Sequence, residues 1–116
     1  MVHLNYLKTV LIIPKGRATR FNGRLLRLIN APRLTVPTLA AHTPLEGVSL
    51  KVVDENVDGM QTLETISTSA DIVGISAMTP TALRAYEIAD MYRKLGIKVV
   101  LGGIHPTVLP EEALKH

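Results

Sequence analysis

Residues 71–103 read DIVGISAMTPTALRAYEIADMYRKLGIKVVLGG, and this stretch decides the fold. Two short apolar runs in it, residues 71–75 and 97–101, are typical of buried strands. Between them apolar residues recur at helical spacing, with Thr79 placed to cap the helix and Pro80 suited to its first position. The predicted inner face of this helix consists of Ala85, Ile88, Ala89, Tyr92 and Leu95. The stretch therefore predicts a strand, a helix and a second strand.

Upstream of this stretch the sequence predicts two more strands and two more helices. The strands are residues 9–13 (TVLII) and 48–53 (VSLKVV), and the helices are residues 35–43 and 60–68. Pro110, followed by two glutamates, is typical of the start of a further helix, because acidic residues stabilise a helix near its amino end. Apolar strands that alternate with helices indicate a parallel sheet with helices on both faces.

We predict a doubly wound α/β fold with a flavodoxin-like (Rossmann-like) strand order of 2-1-3-4. Residues 1–116 are expected to form a single domain, the N-terminal fragment of a larger protein, because a fifth strand is expected after the helix that Pro110 begins. The fourth strand would then be an exposed edge of the sheet. Exposed edges pair readily with other strands, so the fragment is expected to self-associate across this one.

Composition excludes several classes of protein. The chain of 116 residues is 47% hydrophobic, but no apolar run approaches the roughly 18 residues that a membrane span requires. Because the N-terminus also lacks the pattern of a signal peptide, we expect a cytoplasmic protein. The chain contains no cysteine, which excludes disulfides, thiolate catalysis and cysteine-held clusters within these residues. An aromatic content of 3% argues against a surface that stacks nucleic-acid bases.

Positive charge is concentrated near the N-terminus. Residues 1–34 contain seven basic residues and no acidic one, although the net charge of the whole chain is only +3. Five arginines lie between Arg17 and Arg33, within a predicted loop over residues 14–34. Their loose spacing favours a solvated or partner-facing loop over contact with an anionic cofactor or a second domain. Nucleic-acid binding is the least favoured of the three interpretations.

Candidate binding residues follow the third and fourth strands. In such a sheet ligands bind outside the carboxyl ends of the strands, where the strand order reverses, here between strands 1 and 3. Ser76 and the pair Gly102 and Gly103 would form a slot there, in which a ligand approaches bare backbone. His105 would lie at the mouth of the slot and either touch the ligand or cap a turn. We predict binding rather than catalysis, because the sequence contains no set of nucleophile, base and orienting residue, no P-loop and no dinucleotide glycine motif.

GISAMTPT (residues 74–81) and VVLGGIHPTVLPEE (residues 99–112) resemble the cobalamin-binding domain, especially the form found at the N-terminus of radical SAM enzymes. The resemblance extends from about residue 48 to residue 114. It implies that Ser76 hydrogen-bonds the dimethylbenzimidazole base of cobalamin and that the glycine pair lets the nucleotide tail pass along the sheet. The candidate cofactor-binding residues are Ser76, Met78, Thr79, Gly102, Gly103 and His105, with no catalytic and no metal-ligating residue among them.

The loop after the first strand departs from part of that family. Cobalamin domains of the methionine-synthase and mutase kind carry Asp-x-His-x-x-Gly there, and its histidine ligates cobalt. Residues 14–34 contain neither aspartate nor histidine, and the similar DENVDG at residues 54–59 follows the second strand and has Asn56 in place of the histidine, which we interpret as a coincidence. We therefore expect bound cobalamin to be base-off with no protein imidazole on cobalt, and His105 is the residue that could overturn this.

The resemblance implies a role inside a larger enzyme. A radical SAM parent, of the methyltransferase or cyclase type, would hold S-adenosylmethionine and a [4Fe-4S] cluster in a catalytic domain beyond His116. This domain would present the corrin to that catalytic domain, and its own contribution would be positioning. The alternative is a degenerate, non-binding scaffold of the same fold that contacts a partner through the arginine-rich loop. If cobalamin binds, replacing Gly103 by valine is expected to fill the groove while leaving the fold largely intact.

Overall fold

A parallel sheet of four strands forms the centre of the molecule, which a computed structural model describes for residues 5–16 and 34–116. The strands are β1 (Leu7–Ile13), β2 (Val48–Asp54), β3 (Ile72–Ser76) and β4 (Lys98–Gly102). Their order is β2-β1-β3-β4, and every neighbouring pair is parallel. The predicted flavodoxin-like α/β fold and its strand order are therefore confirmed. Within the described residues β4 pairs only with β3 and is an edge, whereas self-association across it stays a prediction.

Short helices connect and flank the strands. They are α1 (Thr35–Ala41), a 3-10 helix (Thr79–Thr81) that leads into α2 (Ala82–Lys94), α3 (Ile104–Val108) and α4 (Pro110–Ala113). The predicted helix start at Pro110 is confirmed, whereas the sequence analysis does not predict α3. None of the described helices has the length and apolarity needed to cross a membrane. The arginine-rich part of the predicted loop, residues 17–33, lies outside the described residues.

The predicted helix over residues 60–68 is wrong, because this segment forms turns. The backbone N–H groups of Thr65 and Ile66 both donate to the carbonyl oxygen of Thr62, at 3.0 Å each. The hydroxyl of Thr65 also accepts a hydrogen bond of 2.8 Å from the N–H of Thr62. Such bonds between threonine side chains and nearby backbone groups offer the chain an alternative to a helix. The three apolar residues at helical spacing that predict this helix are Met60, Leu63 and Ile66, and of these only Ile66 is buried.

The ends of α2 differ from the prediction. Thr79 does not cap the helix, because the 3-10 helix occupies the predicted first turn and α2 begins at Ala82. In the 3-10 helix the hydroxyl of Thr81 accepts a hydrogen bond of 3.0 Å from the N–H of Met78. Leu95 lies just beyond the last helical residue and is 46% exposed, so its predicted place on the inner face is also wrong.

The main core lies between α2 and one face of the sheet. Alternate residues of the central strands point towards the helix, and the other residues point to the opposite face. This core includes Val10, Ile12, Val73 and Ile75 from the strands and Ala85, Ile88, Ala89 and Tyr92 from the helix. Burying each of the larger aliphatic side chains contributes about 1.5–3 kcal/mol to stability. The contacts with α2 on this face therefore stabilise the sheet. The other face is available for a different role.

The opposite face of the sheet is only partly covered by the described residues. Leu11, Gly74 and Val100 lie side by side on it, in register across β1, β3 and β4. α1 packs against this face, and its Val36 is only 1% exposed. Val100 nevertheless remains 53% exposed. An apolar surface thus stays accessible beside α1.

A buried ion pair ties the carboxyl ends of the strands together. Glu55 directly follows β2 and is only 1% exposed, and its carboxylate accepts hydrogen bonds from Nε of Arg84 at 3.0 Å and from Nη2 at 2.6 Å. The same carboxylate accepts the backbone N–H groups of Lys15 at 3.0 Å and Gln61 at 2.6 Å. Burial raises the pKa of Glu55, but the bonds from Arg84, Lys15 and Gln61 outweigh burial and hold the pKa below its ordinary value. One carboxylate therefore joins the loops after β1 and β2 to α2.

Replacing Glu55 by glutamine is expected to lower the free energy of unfolding by about 3 kcal/mol, because the half-buried guanidinium of Arg84 loses its buried carboxylate partner and keeps the exposed carboxylate of Glu87, at 3.0 Å. The pKa of Glu55 is lower in the folded chain than its ordinary value of 4.5. The stabilisation is therefore present above that value and is lost as the pH falls through the folded pKa. Urea unfolding of both proteins, near neutral pH and below about pH 4, should show a difference that shrinks with acid.

The matched control is Glu64→Gln, since Glu64 is exposed. This variant is expected to unfold like the parent chain at both pH values. A Glu55→Gln variant as stable as the Glu64→Gln variant would contradict the role given to the buried carboxylate.

Candidate functional site

A cavity of about 230 Å³ lies on the partly covered face of the sheet, between the strands and α1. Val36 and Leu39 of α1 line one side of it. The strands supply the opposite side, with residues from the amino end, the middle and the carboxyl end of the sheet. In that order these residues are Thr9 and Ile72, then Leu11, Gly74 and Val100, then Ser76 and Gly102. The cavity therefore reaches the carboxyl ends of the strands, where parallel sheets bind ligands.

Gly74 makes room in the middle of the cavity. A Cβ atom at this position would lie 2.8 Å from Cδ2 of Leu11, closer than the two atoms can approach without movement. Because Gly74 has no side chain, the cavity reaches the backbone of β3 between Leu11 and Val100. Gly74 is not among the predicted site residues, although a glycine inside an apolar strand often marks a close approach.

Ser76, Gly102 and Gly103, three of the predicted site residues, line the end of the cavity at the carboxyl ends of β3 and β4, here called its mouth. Ser76 is the register partner of Gly102, and the N–H of Ala77 donates a hydrogen bond of 2.8 Å to the carbonyl oxygen of Gly102. A Cβ atom on Gly102 would meet no atom of the described residues within 4 Å, its own neighbours in the chain apart. Gly102 is therefore the position from which an added side chain would reach open space beside the cavity.

Gly103 has a different role, because the fold itself requires a glycine there. Its φ is +97°, and a Cβ atom would lie 2.5 Å from the carbonyl oxygen of Ala77. The loops after β3 and β4 pack this closely because no side chain separates them. The expectation that Gly103→Val leaves the fold largely intact is wrong for this reason.

The other three predicted site residues do not line the cavity. His105, in α3, is 7% exposed, with Nδ1 3.2 Å from Oγ1 of Thr79 and Nε2 2.9 Å from Oε1 of Glu112. Since a carboxylate only accepts hydrogen bonds, Nε2 donates to Glu112, and Nδ1 bonds the hydroxyl of Thr79. Met78 is half-buried and its backbone bonds Thr81. His105 and Thr79 thus join two loops behind the mouth of the cavity.

Further hydrogen bonds stabilise the contact between the segments that carry Thr79 and His105. The N–H of His105 donates to the carbonyl oxygen of Ala77 at 3.3 Å, and the hydroxyl of Tyr86 donates to Oε1 of Glu112 at 2.9 Å. The hydrogen bonds from His105 and Tyr86 hold the pKa of Glu112 below its ordinary value. Both ring nitrogens of His105 are engaged in this arrangement, so neither offers a lone pair to a metal.

The DENVDG segment forms a closed turn after β2. Oδ1 of Asp54 accepts hydrogen bonds from the backbone N–H of Asn56 at 2.9 Å and from its side-chain Nδ2 at 2.8 Å. Oδ2 of Asp58 accepts the N–H of Asp54 at 2.8 Å. The carboxylates of Asp54 and Asp58 therefore bond groups within the turn, whereas the carboxylate of Glu55 bonds groups outside it. Among the described residues no cluster of histidine, aspartate and glutamate is arranged to hold a metal ion.

A protein-family model described as the B12 binding domain matches residues 30–116. The chain belongs to the B12-binding domain family. The match contains α1, β2, β3 and β4, and hence most residues around the cavity. β1 lies before the matched part and completes the sheet of this B12-binding domain.

Two methyltransferases of Chlorobaculum tepidum are similar to part of this B12-binding domain. Bacteriochlorophyllide d C-8(2)-methyltransferase is 59% identical over 46 residues, and bacteriochlorophyllide d C-12(1)-methyltransferase is 44% identical over 46 residues. Each similarity covers 40% of this chain and 10% of the methyltransferase. The chain therefore corresponds to a small part of these relatives. No solved structure matches it.

Replacing Gly103 by alanine is expected to lower the free energy of unfolding by at least about 2 kcal/mol, because the new Cβ atom meets Ala77 and the positive φ strains the residue. The matched variant Gly102→Ala points into open space and should change stability by about 0.5 kcal/mol or less. Thermal or urea unfolding of the two variants measures this difference. Equal stability of the two would contradict the close packing of Gly103 on Ala77.

Proposed function

We propose that this B12-binding domain holds cobalamin with the nucleotide base in the cavity and the corrin outside the carboxyl ends of the strands. The observation that carries the proposal is an apolar cavity whose mouth is formed by Ser76 and two glycines. Its volume of about 230 Å³ lies below the range of roughly 300–1,000 Å³ typical of sites for whole drug-sized ligands. A flat heterocyclic base fits such a space, whereas a corrin ring requires a larger one.

Each part of the cavity would make a different contact with the cofactor. The bare backbone at Gly74 and the apolar side chains of Val36 and Leu39 would enclose the base, and the hydroxyl of Ser76 would bond it at the mouth. Gly102 would let the nucleotide tail cross the end of β4, since no atom of the described residues beyond its chain neighbours lies within 4 Å of its missing Cβ atom. His105 would act indirectly, by holding the loop that carries Thr79.

The similar methyltransferases support methyl transfer as the reaction that this domain serves. Bound cobalamin supplies methyl-transfer chemistry, and the contribution of this chain is to bind and orient it. In our proposal the domain belongs to a longer radical SAM methyltransferase, whose catalytic domain holds S-adenosylmethionine and a [4Fe-4S] cluster. The names of the relatives point to a chlorin-type tetrapyrrole as the class of methyl acceptor.

Titration of the chain with hydroxocobalamin is expected to change the visible spectrum and to saturate. In Gly102→Val the added side chain would obstruct the mouth of the cavity, so the affinity should fall at least about tenfold while the melting temperature changes little. Ser49→Val is the matched control, because it places a valine at an exposed position of β2 that does not line the cavity. An unchanged spectrum in the parent chain would favour the non-binding scaffold instead.

The electron paramagnetic resonance spectrum of the cob(II)alamin form is expected to show no superhyperfine splitting from an axial nitrogen. The reason is that both nitrogens of His105 are engaged and that residues 14–34 contain no histidine. His105→Ala should leave the spectrum unchanged. A splitting that disappears in this variant would identify His105 as a cobalt ligand. A splitting that persists in it would indicate that the base stays on cobalt and outside the cavity.

A further inference from the structure

We infer that the cavity selects corrinoids by their nucleotide base and prefers an alkylated benzimidazole to a purine such as adenine. This preference rests on the proposed function, because it assumes that the base enters the cavity. Both bases are flat bicyclic rings of similar size, so the shape of the cavity alone does not separate them. The chemistry of the cavity wall separates them, because the two rings carry different groups on the edge away from the sugar.

Hydrocarbon groups form the middle of the cavity. Leu11 and Val100 flank the bare backbone of Gly74, since the three residues are register partners across neighbouring strands. Val36 and Leu39 line the cavity from α1. Among the described lining residues there is no charged side chain and no side-chain amide. The middle of the cavity therefore offers methyl and methylene groups as contacts.

The hydroxyl groups that the strands contribute lie away from this middle level. Thr9 precedes Leu11 by two residues along β1, and Ser76 follows Gly74 by two residues along β3. Two residues of a strand span about 7 Å, so these hydroxyls belong to the two ends of the cavity. The remaining hydroxyl of the described lining belongs to Thr35, the first residue of α1. A polar edge of a base in the middle of the cavity would meet hydrocarbon.

Adenine carries an exocyclic amine and ring nitrogens on that edge, whereas dimethylbenzimidazole carries two methyl groups. A buried polar group without a hydrogen-bond partner weakens binding, because it loses its bonds to water. The methyl groups gain from the same hydrocarbon wall, since burial of apolar surface is favourable. We expect the adenine-containing cobamide to bind about 10- to 100-fold more weakly than cobalamin.

The test compares the affinities of three corrinoids for the 116-residue chain by visible spectroscopy. The three are cobalamin, the cobamide that carries adenine as its base, and cobinamide, which has no nucleotide. Cobalamin is expected to bind most tightly, and cobinamide at least about tenfold more weakly, because it places nothing in the cavity. The preference for cobalamin over the adenine cobamide is the quantity of interest.

A pair of matched variants assigns this preference to the cavity. Val100→Thr replaces a methyl group by a hydroxyl in the middle of the cavity, with almost no change in shape, and is expected to reduce the preference severalfold. Val52→Thr makes the same change on the same face of the sheet, in β2, at a position that is 42% exposed and does not line the cavity. This control should keep the full preference, and the melting temperatures of both variants show whether they fold.

The outcomes separate the selectivity from the proposed function. Equal affinities for cobalamin and the adenine cobamide would overturn the selectivity and leave cobalamin binding in place. A preference that Val52→Thr reduces as much as Val100→Thr would overturn its assignment to the cavity. Cobinamide binding as tightly as cobalamin would show that the base is not held there. Failure of the parent chain to bind any of the three corrinoids would overturn the proposed function and the selectivity together.

Discussion

The carboxylate of Glu55 connects the segments that follow β1, β2 and β3. Loops at the end of a parallel sheet have backbone N–H groups with no partner in the strands, and burial makes an unpaired group costly. Here the N–H groups of Lys15 and Gln61 bond the carboxylate, and Arg84 neutralises its charge from the first turns of α2. Removing either member of a buried ion pair lowers the free energy of unfolding strongly, whereas removing one member of a surface pair changes it little. The arrangement of the segments that follow β1, β2 and β3 therefore depends on one side chain.

The two faces of the sheet have different roles, because the helices cover one face more completely than the other. α2 fills one face with alanine, isoleucine and tyrosine side chains, which fixes the strands relative to one another. The other face keeps a cavity beneath α1, where Gly74 exposes backbone. At its mouth the adjacent glycines differ in function: Gly103 lets two loops pack together, and Gly102 leaves space open. One short motif thus serves both the stability of the fold and access to the cavity.

Sequence patterns predicted the sheet well and the side-chain environment less well. The apolar runs identified all four strands, because central strands of a parallel sheet are buried on both faces. Three apolar residues at helical spacing wrongly predicted a helix over residues 60–68, where threonine hydroxyls bond the backbone instead. Thr79 and His105 are predicted site residues but bond each other behind the cavity mouth, because the 3-10 helix and α3 set their direction. Neither short helix has a clear periodic pattern.

The sequence by itself determined the parallel order of the strands and the place where Ser76 meets the glycine pair, because the carboxyl ends of parallel strands meet at one edge of the sheet. Only the tertiary structure decided which residues surround the cavity and which acidic residue is buried. Glu55 and Arg84 are 29 positions apart, and nothing near Glu55 in the sequence distinguishes it from the exposed Glu64. Long-range packing of α2 on the sheet brings Glu55 and Arg84 together. Local sequence patterns do not predict such contacts.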